Sequence, residues 1–286
     1  MPPAEPSPQS PSATWQVQAT SVRGLSHHLN NQPAQDRFLS ISFQNRDFPN
    51  FLLLLAADGA GSARKSWAGA WAACRSLAQA VRLLSLTPNG RNRLFSAGAW
   101  QAGLAAELFT QARRGLNARA RVLNCEDPEL ATTLNMAIIF PDFWACGMVG
   151  DGLIAAQASR LESPWLVHGP PHRGEFAGET VFLTSDNWRE HFQSGVIEGC
   201  PDRLLITTDG LLPILFQSQS GSIFESFVNP LFAAAESPRF PEKEKNTQLG
   251  KFLEGDRVRA RCDDDLTLIL ASRSCRAEVD ESPSAS

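Results

Sequence analysis

The segment FLLLLAADGAGS, residues 51–62, joins the longest apolar run of the chain to an acidic turn. The run 51–57 is far shorter than the roughly 20 residues of a membrane-spanning helix, so it predicts a buried strand. Asp58 follows directly, and Gly59 comes next, as is typical of a tight turn. The segment therefore predicts a strand inside a packed protein with a carboxylate at its end.

Further strands are predicted on both sides of this segment by β-branched and aromatic residues that end at turn-forming residues. They cover 15–20, 36–43, 132–140, 143–149, 152–158, 180–185, 203–208 and 265–271. Apolar residues at helical spacing predict two long helices, 62–86 and 93–121, with Trp67, Trp71 and Trp100 in the core. Strands, a helix pair and then more strands indicate an antiparallel α+β fold, with two sheets packed face to face and helices outside.

The composition is that of an ordinary globular protein. The 286 residues are 43% hydrophobic and 20% charged, and the net charge is −4. This charge balance does not predict a large positive surface for binding nucleic acid or an anionic membrane, so neither is expected as a partner. The first residues lack a positive start and an apolar core, which excludes a secretory signal and predicts a cytoplasmic protein.

One domain, 14–272, is expected between two disordered tails. Residues 1–13 contain five prolines and little to bury, and residues 273–286 are similarly poor in apolar residues. The polar segment 236–257 is interpreted as a surface loop or insertion. The six cysteines are widely spaced without a Cys-x-x-Cys pair, and this predicts reduced thiols.

The positions of the acids relative to the strands carry the functional information. Asp58, Asp151 and Asp209 each follow an apolar run and precede glycine, while Asp264 and Asp265 open the last strand. A single Asp-Gly pair is most simply a turn, but the repetition indicates acids gathered at one end of a sheet. Such acids repel one another unless a cation neutralises them, and oxygen ligands favour Mg²⁺ or Mn²⁺. Two such ions can activate a water for attack on a phosphoryl group.

The order of the motifs resembles the metal-dependent protein phosphatases, the protein phosphatase 2C (PPM) family, and most closely its shorter bacterial branch. The matching segments are PAQDRF (33–38), AADGAGSARKSWAGA (56–70), ATTLNMAII (131–139), GMVGDG (147–152), AGETVFLTSD (177–186), LLITTDGLL (204–212) and DDLTLIL (264–270). The resemblance implies a four-layer αββα fold and a serine/threonine phosphoprotein phosphatase that depends on two Mg²⁺ or Mn²⁺ ions, with a third ion as an option.

The resemblance also implies roles for individual residues. Asp36 would orient the attacking water, and it is counted with Asp58, Asp209 and Asp264 among the catalytic residues. Thr133 and Thr267 are expected to pack or hydrogen-bond. The implied metal ligands are Asp58 as the bridging carboxylate, the Gly59 carbonyl, Asp209, Asp264 and, for an additional ion, Asp151.

The chain departs from the family pattern at several positions. Ala60 stands where eukaryotic members have a histidine proposed as general acid, and Asn31 stands where the phosphate-binding arginine is expected. Arg23, His27 and Arg37 are the local candidates for phosphate binding, although surface exposure is the plainer interpretation of His27. Gln35 and Pro213 replace family acids, and Pro213 weakens the expectation of a third ion.

Two functions of different classes remain open from the sequence. The first is a cytoplasmic signalling phosphatase that acts on phosphorylated proteins, with a serine/threonine kinase or its targets as partner. The second is a catalytically weak or inactive module of the same fold that binds a phosphoprotein or a kinase. A metal-dependent nuclease is disfavoured by the acidic balance of the chain.

Overall fold

A computed structural model describes residues 14–158, 163–169 and 180–274. The predicted tail 1–13 and most of the predicted tail 273–286 lie outside these residues. The strands in chain order are β1 (Thr14–Val22), β2 (Arg37–Phe43), β3 (Phe51–Ala57), β4 (Leu134–Ile139), β5 (Phe143–Val149), β6 (Leu153–Gln157), β7 (Leu166–His168), β8 (Gln193–Glu198), β9 (Arg203–Thr207), β10 (Phe216–Gln217), β11 (Ser222–Ile223) and β12 (Leu266–Ser274).

Two five-stranded antiparallel sheets are formed by these strands. One has the order β1-β12-β9-β6-β7 and the other the order β2-β3-β4-β5-β8, while β10 and β11 form a separate ribbon. The helices are α1 (Leu25–Leu29), α2 (Ser66–Leu86), α3 (Pro88–Leu94), α4 (Ala97–Ala99), α5 (Ala105–Leu123), α6 (Leu212–Leu215), α7 (Glu225–Glu236), α8 (Glu242–Leu253) and α9 (Asp256–Arg259).

Strand β3 shows why the fold has four layers. Successive side chains of a strand point to opposite faces of its sheet. Leu53 and Leu55 pack in one cluster with α2 and α5, whereas Leu52 and Leu54 pack in a second cluster with residues of the other sheet. A third cluster joins that other sheet to α7 and α8. The predicted αββα sandwich is therefore confirmed.

The predicted strand 180–185 is wrong. These residues form an irregular segment and a turn, in which the Leu183 amide donates to the Thr132 carbonyl at 2.8 Å. Leu183 is fully buried in the cluster beneath α2 and α5. The apolar residues of this segment thus cover the core although they form a loop. A buried loop and a buried strand have similar compositions, so the sequence did not distinguish them.

The helix predicted over 93–121 is interrupted. Helices α3, α4 and α5 replace it, with a π-helical turn over Trp100–Leu104. Gly103 has φ of 110°, outside the range of a right-handed helix, and glycine adopts this conformation without a side-chain penalty. The apolar spacing on both sides of Gly103 is helical, so the periodicity alone did not reveal the break.

The core assignment of two tryptophans is also corrected. Trp100 is buried as predicted, but Trp67 and Trp71 are 38% and 44% exposed. Helix α2 buries mainly small residues against its neighbours, including Ala68 and Ala72. These small residues allow α2 and α5 to approach each other closely. The indoles of Trp67 and Trp71 therefore lie at the outer edge of the contact between the two helices.

The polar segment 236–257 is not a loop. It contains α8, whose Leu249 and Leu253 are buried against the sheet of β1. Lys245 is also buried and donates from Nζ to the Ala235 carbonyl at 2.7 Å. This bond ties α8 to α7, so the predominantly polar sequence still folds into the outer helical layer.

Replacing Gly69 by alanine is expected to destabilise the protein by about 1–3 kcal/mol, as overpacking does. A Cβ at this position would lie 2.0 Å from the Leu130 carbonyl oxygen, which belongs to a backbone that cannot rotate away. The thermal unfolding midpoint measures this loss. Gly98 is the matched control because its Cβ would meet nothing closer than 3.7 Å, so Gly98→Ala should be neutral or slightly stabilising. Equal midpoints for both variants would contradict the proposed close packing.

Candidate active site

Chain segments distant in sequence deliver acids to one end of the sandwich. Asp58 follows the end of β3, Asp209 follows β9, and Asp151 lies in the turn between β5 and β6. Asp36 precedes β2, and Asp264 lies two residues before β12. In antiparallel sheets the end of one strand lies beside the start of its neighbour, so these ends and starts meet at the same edge.

The backbone of Asp58 is fixed by the segment that precedes β4. Its amide donates to Oγ1 of Thr133 at 2.9 Å, and its carbonyl accepts from the Thr133 amide and the Thr132 hydroxyl, both at 2.8 Å. Thr133 therefore acts by hydrogen bonding, as expected. Gly59 lies so close to Ser66 that a Cβ would be 2.8 Å from the Ser66 Cβ, which packs the turn against the start of α2.

Asp151 lies where the chain crosses from one sheet to the other. Gly150 has φ of 115°, and a Cβ there would come within 2.5 Å of the Thr133 Cβ, so this crossing requires glycine. The Thr180 hydroxyl donates to Oδ2 of Asp151. Oδ1 of Asp151 is buried and has no hydrogen-bond partner among the described residues.

Asp58, Asp151 and Asp209 form a carboxylate cluster in which one oxygen of each lies within 4.8 Å of the others. Burial raises the pKa of Asp58 well above its ordinary value, and the charges of Asp36, Asp209 and Asp264 raise it further. Burial, with the charges of Asp151 and Asp264, raises the pKa of Asp209 from 3.8 to about 7. The cluster therefore resists full ionisation unless positive charge is added.

Asp36 is buried directly beside this cluster. Its Oδ2 accepts from the hydroxyls of Thr208 and Thr267, each at 2.7 Å. Burial is the main cause that raises the pKa of Asp36 to about 7, and the charge of Asp265 adds to it. The hydroxyl contacts lower this pKa in part, because they stabilise the ionised form.

Asp264 and Asp265 have different environments although they are adjacent. The Asp264 side chain is 51% exposed, and its charge contributes to the raised pKa values of Asp58 and Asp209. Asp265 is buried and accepts from the amides of Gly24, Gln35 and Asp36 and from a ring nitrogen of His27. Asp265 thus holds two loops of the site in place, a role that its sequence position did not reveal.

The three predicted phosphate-binding residues are placed differently. His27 is buried, not on the surface, and its Nδ1 lies 2.9 Å from Oδ1 of Asp265. Arg37 donates from Nη1 to the carbonyls of Ala34 and Asp36, which turns it toward its own loop. Arg23 donates from Nη2 to the His27 carbonyl at 2.8 Å. Their roles toward phosphate stay predictions.

The residues present fit a hard divalent cation. The donors of the carboxylate cluster are all oxygens, which suit Mg²⁺ or Mn²⁺. The unpartnered Oδ1 of Asp151 and the raised pKa values of Asp58 and Asp209 both indicate charge that a cation would satisfy. The five cysteines within the described residues are free thiols, as predicted, and none belongs to the cluster.

Two residues near the cluster were missed from the sequence. Thr208 precedes Asp209 directly, so its place at the strand end was a usable signal. Asn135 gave no such signal because it stands within an apolar strand. It is fully buried, and neither its Oδ1 nor its Nδ2 has a hydrogen-bond partner within the described part of the chain. A Cβ on Gly152 would lie 2.1 Å from this Nδ2, so Asn135 packs directly under the turn that carries Asp151.

Solved structures share this fold over nearly the whole chain. Serine/threonine phosphatase Stp1 from Staphylococcus aureus matches with a TM-score of 0.59 and 15% identity, covering 95% of this chain and 100% of that one. The catalytic domain of the serine/threonine protein phosphatase PstP, in complex with two manganese ions, matches with a TM-score of 0.55 and 19% identity, covering 92% and 100%. At these identities the likeness establishes the fold alone.

Sequence comparison connects the chain to a named family. Serine/threonine-protein phosphatase 3 of Escherichia coli (strain K12) is 28% identical over 266 residues, which cover 90% of this chain and 98% of that protein. The family model for protein phosphatase 2C matches residues 23–254, a range that includes Asp36, Asp58, Asp151 and Asp209. The chain therefore belongs to the protein phosphatase 2C family.

Proposed function

We propose that this protein is a metal-dependent serine/threonine phosphoprotein phosphatase. The observation that carries the proposal is the carboxylate cluster of Asp58, Asp151 and Asp209, in which one oxygen of each lies within 4.8 Å of the others. Membership of the protein phosphatase 2C family and the relationship to the Escherichia coli serine/threonine-protein phosphatase support the choice of substrate.

Two Mg²⁺ or Mn²⁺ ions are the proposed cofactors, with Asp151 serving a further ion. When bound, they would lower the pKa of a water and polarise the phosphate ester. Asp58, the Gly59 carbonyl, Asp209 and Asp264 would hold the pair. The gathered acids support this ligand set, because burial raises the pKa values of Asp58 and Asp209 and the charges of neighbouring carboxylates, including Asp264, raise them further.

Asp36 is proposed to orient the attacking water. The hydroxyls of Thr208 and Thr267 hold its Oδ2 and so fix the carboxyl group beside Asp58. Without a bound cation, burial raises the pKa of Asp36 to about 7. Ala60 has no proton to give to the leaving group, so the proton has to come from another group.

Arg23 and His27 are the proposed contacts to the substrate phosphate, with Arg37 as the third candidate. Arg23 uses one nitrogen, Nη2, for the His27 carbonyl, whereas Arg37 directs its Nη1 to two carbonyls. Arginine can bind phosphate oxygens through two parallel hydrogen bonds, and each of the two side chains has only one of its terminal nitrogens engaged by a carbonyl. His27 would act with Arg23, whose side chain lies against its backbone.

The proposed substrates are phosphorylated proteins in the cytoplasm, such as a serine/threonine kinase or its targets. No helix within the described residues has the length and apolarity needed to cross a membrane. A regulatory module that binds phosphoproteins without hydrolysis is the second candidate. The alanine at position 60 and the inward-bound Arg37 favour it, while the retained carboxylate cluster opposes it.

Hydrolysis and metal binding together test the proposal. The purified protein with Mn²⁺ should release phosphate from phosphoserine and phosphothreonine peptides, and a chelator should abolish the release. Isothermal calorimetry should detect binding of Mg²⁺ or Mn²⁺ at or below millimolar concentration. Phosphopeptide binding without hydrolysis would favour the regulatory module. The absence of both metal binding and hydrolysis would contradict the proposed enzyme and the proposed ligand set.

A further inference from the structure

A groove on the outer surface of the helix pair has features that hydrolysis does not require. It is a shallow, open depression between α2 and α5 with a volume of about 620 Å³. We call it the α2–α5 groove and define it by Trp71, Arg75, Leu83, Arg114, Arg119 and Val122. No residue of the carboxylate cluster lines it.

The charge of the groove has one sign. Arg75, Arg114 and Arg119 line it, and no aspartate or glutamate does. None of the three arginines forms an ion pair among the described residues. Across α2 and α5 there are six arginines and one glutamate, Glu107, and that glutamate pairs with Arg93. In a chain of net charge −4, this is a localised positive surface.

The groove also exposes large apolar side chains. Trp71 is 44% exposed, Leu83 55% and Val122 74%. The guanidinium carbons of Arg75 and Arg119 lie 4.9 and 5.7 Å from the centroid of the Trp71 ring. The two cations therefore lie within cation–π distance of the indole and beside the exposed apolar side chains.

We propose that the α2–α5 groove is a docking site for an acidic protein segment that also carries apolar side chains. Carboxylates of the segment would pair with the arginines, and an apolar side chain would cover Trp71 and Leu83. A concave groove fits an extended or helical segment better than a flat membrane surface. Nucleic acid is disfavoured because the chain as a whole carries a net charge of −4 and offers no broad basic surface. The inference concerns partner recruitment and does not depend on hydrolysis at the carboxylate cluster.

Fluorescence anisotropy with a labelled peptide that alternates glutamate with leucine tests the proposal on the full chain. The double variant Arg75→Glu/Arg119→Glu should bind this probe about tenfold more weakly, since two attractions become repulsions. Arg114→Glu should weaken binding by a smaller factor. Arg114 is exposed, so this variant tests the groove even if the double variant does not fold.

The matched control is Arg46→Glu/Arg257→Glu, which changes net charge equally at two exposed arginines outside the groove. It should bind the probe as the wild type does. Equal weakening in this control would overturn the proposal, as would unchanged binding by both groove variants. Equal affinity for a peptide that alternates glutamate with serine would show general attraction to anions and would also overturn it. So would tighter binding of RNA or anionic vesicles that is lost in the same variants.

Hydrolysis of a small phosphate ester separates this proposal from the proposed function. The groove variants should retain wild-type hydrolysis because their side chains do not line the carboxylate cluster. Probe binding without any hydrolysis in the wild type would contradict only the proposed function. Hydrolysis without groove-dependent probe binding would contradict only the docking site.

Discussion

Replacing Asp209 by asparagine is expected to lower Mn²⁺-dependent hydrolysis of a phosphate ester by about 10²–10³-fold or more, the scale of losing a main electrostatic group in an active site. Asparagine has nearly the same shape but no charge, so the carboxylate cluster would keep Asp58 and Asp151 with one negative charge fewer. Initial rates across a Mn²⁺ titration measure the effect. The activity should not be restored by saturating metal if Asp209 also positions the ions.

The same substitution should stabilise the protein when metal is removed. The pKa of Asp209 is raised from 3.8 to about 7 in the fold, so the folded state binds more protons than the unfolded state between these values. The contribution of the Asp209 carboxyl group to the stability of the fold is therefore present below pH 3.8 and is lost as the pH rises toward 7. In chelator at neutral pH, the melting temperature of Asp209→Asn should exceed that of the wild type.

Asp142→Asn is the control for both measurements, because Asp142 is exposed and lies outside the carboxylate cluster. It should change neither the hydrolysis rate nor the melting temperature measurably. Full activity in Asp209→Asn would contradict the proposed ligand role. Loss of activity accompanied by a lower melting temperature in chelator would attribute the effect to misfolding instead.

The central strands of the sandwich could be predicted because buried strands consist almost entirely of apolar residues. The predicted bounds of β3 and β5 agree with the structure at both ends. These strands are buried on both faces, so they are continuous apolar runs that end sharply at polar turns. The strands β7 and β8 were missed because they are only partly buried and have no such run.

The outer helical layer was less predictable than the sheets. Helix α8 has lysines and glutamates along most of its length, and one stripe with Leu249 and Leu253 suffices to pack it. The exposure of Trp67 and Trp71 depends on how closely α2 approaches α5. A Cβ on Gly115 would lie 1.9 Å from Oγ of Ser76, so a glycine on the partner helix sets that distance. No pattern within α2 alone contains this information.

The sequence identified the acids of the site one by one. It did not show which of them join the carboxylate cluster and which hold the surrounding backbone. Strand ends identified Asp58, Asp151 and Asp209, which the structure does bring together. The resemblance selected Asp264 as a ligand, but it gave no role to Asp265, because the buried donors that Asp265 accepts from belong to segments distant in sequence. In the fold Asp265 points inward to amides and Asp264 remains half exposed.

Replacing Asp265 by alanine should therefore destabilise the fold by about 3 kcal/mol or more, a typical cost of breaking a buried, charged hydrogen-bond network. The substitution leaves the buried amides of Gly24, Gln35 and Asp36 and the His27 ring without their acceptor. Chemical denaturation measures the change in the free energy of unfolding. Asp263→Ala is the matched control because Asp263 is exposed two positions away, and its change should stay within about 0.5 kcal/mol.

The effect of Asp265→Ala on activity distinguishes a positioning residue from a metal ligand. Asp265 holds the backbone amide of Asp36, and Asp36 in turn is proposed to orient the attacking water. Loss of this anchor should reduce hydrolysis at saturating Mn²⁺ while leaving the calorimetric affinity for Mn²⁺ close to that of the wild type. The opposite pattern, a large loss of metal affinity in a folded variant, would instead place Asp265 among the ligands. That result would also require its hydrogen bonds to be redistributed when an ion binds, because all four donors now point at its two oxygens.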